Sequence, residues 1–171
     1  MQGFFIQQAR QTDIETVTSL LCDLYGGISY ADLLAENRAH FNDGKQAFFL
    51  AFRGETPIGV CHGALREEYV NGREGDGTAG YLEAVYVKPE DRLRGAAAAL
   101  VAACEDWARQ NGCREFLSDC LLDNTGSYFF HLRLGFLETE RCIFFRKELA
   151  PPASAAPARG GDQKPQLPSV H

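Results

Sequence analysis

The stretch from residue 81 to 108 constrains the fold more than any other part of the sequence. It begins with YLEAVYV, an apolar, β-branched and aromatic run that predicts a strand with one carboxylate inside it, Glu83. Pro89 ends this strand, and the basic loop RLRG at 92–95 leads into AAAALVAACEDWA, which has apolar residues at helical spacing. A strand, a short loop and a helix in this order predict an α/β fold.

The start of this predicted helix favours binding of a pyrophosphate. Gly95 and the alanines after it leave the first backbone N–H groups uncovered, at the positive end of the helix dipole. Gly95 also permits close approach of a ligand, and Arg92 and Arg94 can add positive charge. A helix N-terminus that is simply packed is the alternative. The absence of a G-x-x-x-x-G-K-[ST] loop and of a G-x-G-x-x-G fingerprint disfavours ATP and NAD.

The segments before residue 81 predict two helices and three strands. FFIQQA is a short strand, Thr12 and Glu15 supply a capping box for a first helix, and Ser29 caps a second helix. AFFLAF and the apolar run that follows Pro57 flank a turn, which predicts a β-hairpin.

The segments after the alanine-rich helix predict a strand, a helix and a final strand. EFLSD is the strand, Asn124 begins the helix that Gly135 ends, and ETERCIFFRKEL is the last strand. The complete order is β-α-α-β-β-β-α-β-α-β, a mixed α/β sheet.

Composition changes sharply after Leu149. Residues 150–171 hold five of the seven prolines and few bulky apolar side chains, so we expect a disordered tail after one domain at 1–149. The chain has 17 basic and 23 acidic residues, and removing two basic and one acidic residue of the tail changes the net charge from −6 to −7. An acidic domain argues against a nucleic-acid partner and favours a cationic one, although such a charge also simply keeps a protein soluble.

The sequence also bears on compartment and metal content. No apolar stretch approaches the roughly 20 residues that cross a bilayer, so we expect no membrane partner. The first residues, MQGFFIQQAR, lack the basic and apolar regions of a secretory signal, which favours a cytoplasmic location. The six cysteines include no C-x-x-C pair, so we expect buried free thiols and no metal site.

Two motifs resemble those of the GNAT superfamily of N-acetyltransferases. Its acetyl-CoA loop follows [RQ]-x-x-G-x-[GA], which Arg92, Gly95 and Ala97 match, and its second motif is an Asn heading a helix that ends in Gly-Phe, as Asn124 does here. The resemblance implies the GNAT fold, with helices on both faces of the sheet, and acetyl-CoA as co-substrate. The acetyl-CoA contacts that it implies are Val85, Tyr86, Val87, Arg92, Leu93, Arg94, Gly95, Ala96, Ala97, Ala98 and Asn124.

Four further segments, EEYVNG, YLEAVYV, EFLSDCLLDN and LGFLETER, are similar to bacterial aminoglycoside 6′-N-acetyltransferases. This resemblance implies direct transfer of acetyl to the 6′-amine of an aminoglycoside in a ternary complex, resistance to these drugs, and a homodimer. The polycationic drug would lie in an acidic cleft. The drug contacts that the resemblance implies are Tyr25, Tyr69, Glu83, Asp119 and Glu140, and Tyr25 stands where relatives have Trp.

Amine acetylation needs a proton acceptor and a donor for the developing oxyanion. We predict Glu83 and Asp119 as the catalytic carboxylates, acting directly or through water. The backbone N–H groups of Val85–Val87 would polarise the thioester carbonyl if the strand separates from its neighbour. In the alternative interpretation Glu83 lies on a solvated face, because Leu82, Ala84 and Tyr86 alternate with it, and Asp119 is a cap.

Several other residues also have simpler interpretations. Tyr25 and Tyr69 could be core or rim aromatics, and Glu140 a surface charge. Asn124 can cap its helix as well as bind the pantetheine arm. His131 lies where many GNAT enzymes place a tyrosine that protonates the CoA thiolate, so it could be that acid or a core histidine.

Two other functions stay open at this stage. The chain could acetylate another amine, such as a polyamine or a protein N-terminus. It could also be a non-catalytic acetyl-CoA-binding module.

Overall fold

The computed structural model describes residues 3–67 and 77–149. In chain order, its elements are β1 (Phe5–Gln8), α1 (Ile14–Tyr25), α2 (Tyr30–Asp43), β2 (Gln46–Arg53), β3 (Thr56–Arg66), β4 (Ala79–Val87), α3 (Ala96–Gln110), β5 (Phe116–Leu117) and α4 (Thr125–Arg133). The five strands form one sheet in the order β1-β2-β3-β4-β5, antiparallel except for the parallel pair β4 and β5. The predicted order is confirmed as far as α4. No helix in these ranges is long and apolar enough to cross a bilayer.

Polar side chains mark where the first two helices begin. Ser29 accepts a hydrogen bond from the backbone N–H of Asp32, as predicted for the start of α2. The predicted capping box of Thr12 and Glu15 is wrong. A 3-10 turn precedes α1 instead, and the Asp13 carboxylate accepts a hydrogen bond of 2.8 Å from the Arg10 N–H. The shorter Asp side chain satisfies this N–H within the tighter turn.

Alternate residues of β2 pack against helices on opposite faces of the sheet. Ala47, Phe49 and Ala51 belong to the core that includes α3. Phe48 and Leu50 belong to the core that includes α1 and α2. The period of two in AFFLAF thus buries both faces of the strand, and the prediction of helices on both faces is confirmed.

The predicted last strand is wrong. Residues 138–149 contain neither helix nor strand. The chain divides into two compact units, Met1–Arg141 and Cys142–His171, and in the second unit Ile143, Phe144 and Phe145 are 79%, 87% and 92% exposed. The composition of this run suits a strand, but strand propensity depends on packing against a neighbouring strand. Within the described residues no strand pairs with it.

All six cysteines lie in the described residues and are free thiols. The predicted burial is confirmed for Cys61, Cys104 and Cys113 and is wrong for Cys142, which is exposed, whereas Cys22 and Cys120 are half-buried. Cys61 and Cys104 are buried between α3 and the sheet. Burial, together with the neighbouring Cys104, raises the pKa of the Cys61 thiol, so Cys61 packs as an apolar side chain. In the same ranges, no group of three or more His, Cys, Asp or Glu is arranged to hold a metal ion.

Candidate active site

β4 contains a bulge at Glu83. In the pairing of β3 with β4, Gly63 lies opposite Leu82 and His62 lies opposite Ala84, which leaves Glu83 without a partner residue. The extra residue breaks the alternation, because Leu82 packs in the core with α3 whereas Ala84 packs in the core with α1 and α2. The interpretation of Glu83 as part of a regularly alternating solvated face is therefore wrong.

The side chain of Glu83 lines a cavity of about 340 Å³ on the face of the sheet that α1 and α2 cover. Tyr25 lies in the same cavity, and burial together with the charges of Glu36 and Glu83 raises the pKa of its hydroxyl. The structure thus brings together two predicted substrate contacts, Tyr25 and Glu83, and adds a second carboxylate. Glu36 does not stand out in the sequence, although Leu33, Glu36 and His40 share one face of α2 by their helical spacing.

Two histidines lie side by side in the lining of this cavity. The ring of His62 stacks on Phe48 with the centroids 4.2 Å apart, and it lies tilted by 35° against the ring of His40, with the centroids 5.1 Å apart. Its Nε2 lies 2.6 Å from the amide oxygen of Gln46, which accepts hydrogen bonds only, so Nε2 carries the proton. Burial, with repulsion from His40 and Arg66, lowers the pKa of His62 to about 3. His62 is therefore neutral near pH 7.

The two predicted catalytic carboxylates are connected through two residues that the sequence does not single out. Arg66 donates from Nε and Nη2 to Oε1 of Glu83, at 3.0 Å and 2.6 Å. The guanidinium carbon of Arg66 lies 3.6 Å from the centroid of the Tyr81 ring, and the Tyr81 hydroxyl donates to Oδ1 of Asp119. Asp119 is exposed and is not among the described residues that line the cavity.

β4 separates from β5 after two residue pairs. Gly80 pairs with Phe116 and Tyr81 with Leu117, and then the Ser118 hydroxyl donates to the Leu82 carbonyl oxygen at 3.2 Å. Beyond this point no described strand pairs with that edge of β4.

The separation exposes backbone groups of the second half of β4. The N–H of Lys88 bonds to Ile58 of β3, so the alternation of the backbone directs the N–H groups of Val85 and Val87 toward the unpaired edge. The strand separation required for the predicted role of Val85–Val87 is therefore present.

The N-terminus of α3 fits a pyrophosphate. Gly95 stands at the N-cap in the left-handed region, with φ of 87°, and as a glycine it supplies no capping side chain. A Cβ at Gly95 would meet nothing within 4 Å. The small side chains of Ala96–Ala98 leave the first N–H groups open, as the phosphates of acetyl-CoA require.

The loop before α3 is held by the strands beneath it. Asp91 is buried and forms an ion pair with Arg53 of β2. Arg92 donates from Nε to the Val87 carbonyl oxygen at 2.9 Å and lies over the Tyr86 ring, so part of its guanidinium is used within the protein. Leu93 and Arg94 are exposed.

Asn124 and Glu140 are not among the described residues that line the cavity. Asn124 caps α4, where its side-chain oxygen accepts a hydrogen bond of 3.0 Å from the Ser127 N–H. Glu140 is exposed, lies in the irregular segment 138–149 and does not line the cavity. Tyr69 lies outside the described residues.

Comparison with known proteins places this fold and site in a family. Residues 14–136 match the model of the Acetyltransferase (GNAT) family. The chain belongs to the GNAT family of acetyltransferases, as the two sequence motifs predicted.

Within this family, the chain is similar to proteins named aminoglycoside N(6′)-acetyltransferase type 1. It is 37% identical to the one from Salmonella enteritidis over 83% of this chain and 97% of the relative. It is also 37% identical to the one from Stenotrophomonas maltophilia, over 86% and 95% of the two chains.

Solved structures agree with this relationship. AAC(6′)-Iy in complex with the bisubstrate analogue CoA-S-monomethyl-acetylneamine superposes with a TM-score of 0.81 at 36% identity, over 85% of this chain and 99% of that one. AAC(6′)-Iy in complex with CoA superposes with a TM-score of 0.80 at 36% identity, over 84% and 94% of the chains.

Proposed function

We propose that this chain is an aminoglycoside 6′-N-acetyltransferase that uses acetyl-CoA and confers resistance to these drugs. The observation that carries the proposal is the double role of β4. Its bulge directs Glu83 into a cavity that also holds Glu36, and its unpaired edge leads to the open N-terminus of α3. Paired carboxylates suit a substrate with several ammonium groups, and the helix N-terminus suits the pyrophosphate of the acetyl donor. The names of the relatives support this substrate.

In the proposed reaction, the 6′-amine nitrogen bonds to the thioester carbonyl carbon and the carbon–sulfur bond breaks. The substrate ammonium first loses a proton to Glu83 or Asp119, directly or through water, and a second proton leaves as the amide forms. The sulfur leaves as thiolate and takes up one of these two protons to give the CoA thiol, and the other proton is released to solvent. The backbone N–H groups of Val85 and Val87 donate to the carbonyl oxygen while it carries negative charge.

The proposed contacts follow the two sides of β4. Acetyl-CoA lies along the unpaired edge and over α3, against Val85, Tyr86, Val87, Arg92, Leu93, Arg94, Gly95, Ala96, Ala97, Ala98 and Asn124. We propose that the drug contacts Tyr25 and Glu83 in the cavity and Asp119 and Glu140 beyond its described lining, and the resemblance adds Tyr69 as a contact.

The test is release of the CoA thiol by the purified full chain, with acetyl-CoA and two aminoglycosides that differ only in an amine or a hydroxyl at the 6′ position. We expect turnover with the amine and none with the hydroxyl. Turnover only on a polyamine or a peptide N-terminus would show an acetyltransferase for another amine. Binding of CoA without turnover on any of these amines would show a non-catalytic module.

We also propose a homodimer. The exposed run Ile143–Phe145 has strand composition and a contiguous apolar surface, which a second copy could cover. Light scattering after gel filtration should give twice the mass of 18.9 kDa, and Phe144→Glu should shift the chain toward monomer. A monomeric wild-type chain at micromolar concentration would contradict the proposal.

The remaining proposals concern location and the C-terminal tail. Six free thiols suit a reducing compartment, and acetyl-CoA is a cytoplasmic metabolite, so we propose a cytoplasmic enzyme. We propose that residues 1–149 form the catalytic domain and that 150–171 form a tail. Removal of 150–171 should leave turnover unchanged.

A further inference from the structure

Arg66 contacts both an acidic and an aromatic side chain at the site. Its Nε and Nη2 converge on the same oxygen of Glu83, Oε1, rather than engaging both oxygens of the carboxylate. This geometry fixes the direction of the carboxyl group and leaves Oε2 as the oxygen to which a substrate ammonium group can donate. The side chains of Arg66 and Glu83 are 39% and 25% exposed, so water screens this ion pair only partly.

Tyr81 completes the connection from the other side. The residue is 7% exposed, and its ring supports the Arg66 guanidinium at a cation–π distance. Its hydroxyl donates to Oδ1 of Asp119, and burial, followed by this hydrogen bond and the charge of Asp119, raises the pKa of Tyr81 far above its ordinary value. The hydroxyl therefore stays protonated and remains a donor across the pH range of the enzyme.

Strand alternation and the register of β3 with β4 explain why these four residues meet. Tyr81 and Glu83 are two residues apart on β4, so both side chains lie on the same face of the sheet, where Glu83 lines the cavity. Arg66 is the last residue of β3, opposite Ala79, and its long side chain extends along β4 past Tyr81 to Glu83. Asp119 lies two residues after β5, where the two strands separate.

We propose that Arg66 and Tyr81 are positioning residues that hold Glu83 and Asp119 as a matched pair of carboxylates on either side of the reacting amine. This inference rests on the proposed acetyltransferase function. Neither residue transfers a proton. Arg66 orients Glu83 and compensates one of the two negative charges, and Tyr81 orients Asp119 while supporting Arg66.

Measurements of kcat and KM can distinguish a positioning role of Arg66 from a simple effect of its positive charge on drug binding. A cation next to the substrate site repels a polycationic drug, so its removal alone should lower the KM for the drug or leave it unchanged. If Arg66 orients Glu83, the same removal should lower kcat about 10- to 100-fold, as misplaced catalytic groups do. We therefore expect Arg66→Gln to lower kcat without raising KM, and Arg66→Lys to restore only part of kcat.

The role of Tyr81 is tested by Tyr81→Phe, which keeps the buried ring and removes only the hydroxyl. We expect a loss in kcat/KM for the drug of about tenfold, with the KM for acetyl-CoA unchanged. Tyr81→Phe combined with Asp119→Asn should be no worse than Asp119→Asn alone, because the hydroxyl acts through that carboxylate. Additive losses would mean that Tyr81 acts by another route and would overturn its assignment.

Matched controls exist on the same chain. Tyr128→Phe removes an exposed tyrosine hydroxyl that donates to Glu138 at 2.9 Å, and Arg109→Gln removes an exposed arginine paired with Glu105 on α3. Both controls should keep wild-type kinetics. Wild-type kinetics in Arg66→Gln and Tyr81→Phe as well would refute the inference and leave the proposed function intact. A wild-type chain that acetylates no 6′-amino aminoglycoside would refute the proposed function and the inference with it.

Discussion

The imidazole of His131 is bonded on both sides within the protein. Its Nε2 lies 2.8 Å from the Ser118 hydroxyl, and its Nδ1 lies 2.7 Å from the carbonyl oxygen of Ser127. A carbonyl oxygen only accepts, so Nδ1 carries a proton, and the Ser118 hydroxyl has a single proton that it shares between Nε2 and the Leu82 carbonyl oxygen. His131 thus connects α4 to the end of β5, where β4 and β5 separate.

These bonds favour a structural histidine over a general acid. We expect His131→Gln to lower the free energy of unfolding by about 1–2 kcal/mol, since it removes hydrogen bonds that are partly buried. Its loss in kcat should stay well below the roughly 100-fold that removal of a general acid causes. Ser118→Ala should show a similar loss of stability in urea unfolding. A large fall in kcat for His131→Gln alone, with the stability unchanged, would instead identify His131 as the acid.

Glu83 and Glu36, the two carboxylates of the cavity, should differ in their kinetic effects. Glu83→Gln should lower kcat/KM by about 100-fold or more, because it removes a group that receives or directs a proton. Asp119→Asn, at the neighbouring strand end, should have the same effect for the same reason. Glu36→Gln should raise the KM for the drug with little change in kcat, because it removes only attraction for an ammonium group.

Salt provides the check on Glu36. The KM difference between wild type and Glu36→Gln should shrink as ionic strength rises, because salt screens the attraction. Glu55→Gln, in the turn between β2 and β3, is the matched control and should change neither constant. Equal kinetics of Glu36→Gln and wild type at low salt would remove Glu36 from the substrate site.

Gly95→Ala should weaken acetyl-CoA binding mainly through the backbone. The space around Gly95 is open, so the cost is that of a non-glycine residue at φ of 87°, about 1–2 kcal/mol. If the loop relaxes to avoid this strain, the N–H groups at the start of α3 move, and the KM for acetyl-CoA rises. The KM for the drug should stay constant.

Gly80→Ala is a contrasting control for Gly95→Ala. A Cβ at Gly80 would come within 2.7 Å of both Ala108 and Phe116, so this change should lower the melting temperature by overpacking. A stable Gly80→Ala variant, or an unchanged KM for acetyl-CoA in Gly95→Ala, would contradict the local geometry described for these positions.

His62 should make the fold sensitive to mild acid. Its pKa of about 3 in the folded protein lies below its ordinary value of 6.5, so the unfolded chain binds more protons between these two values. Stability contributed by the neutral ring is present above pH 6.5 and is lost as pH falls toward 3, at up to about 1.4 kcal/mol per pH unit. His62→Phe keeps the stack on Phe48 and should lose less stability between pH 7 and 5. Parallel losses for wild type and variant in urea unfolding would rule out this role.

The acetyl-CoA side of the site could be predicted from the sequence because it depends on local order. A strand that ends near Pro89, a glycine at the start of an alanine-rich helix and a following helix capped by Asn124 all follow from neighbouring residues. The structure contains each of them. The contact of Arg92 with the Val87 carbonyl oxygen could not be predicted, because it depends on how the loop folds back on β4.

The substrate side could be predicted only in part. Glu83 and Tyr25 were accessible through the resemblance to a family, but Arg66 and Tyr81 meet only because of the register between β3 and β4, which no local pattern specifies. Glu36 depends on how α2 packs on the sheet. The predicted last strand failed for a related reason, since a strand exists only where a partner edge is available.

The bulge in β4 also restricts how this enzyme can diverge. Deletion of one residue near Glu83 would remove the bulge and restore regular alternation along β4. The side chains on one side of the deletion would then point to the opposite face of the sheet. A substitution within Ala79–Val87 alters one side chain and its contacts. A change in the length of this strand would instead turn either its core side chains or the Glu83 carboxylate to the opposite face of the sheet. Descendants of this sequence that keep the activity should therefore vary the residues of this strand while conserving its length.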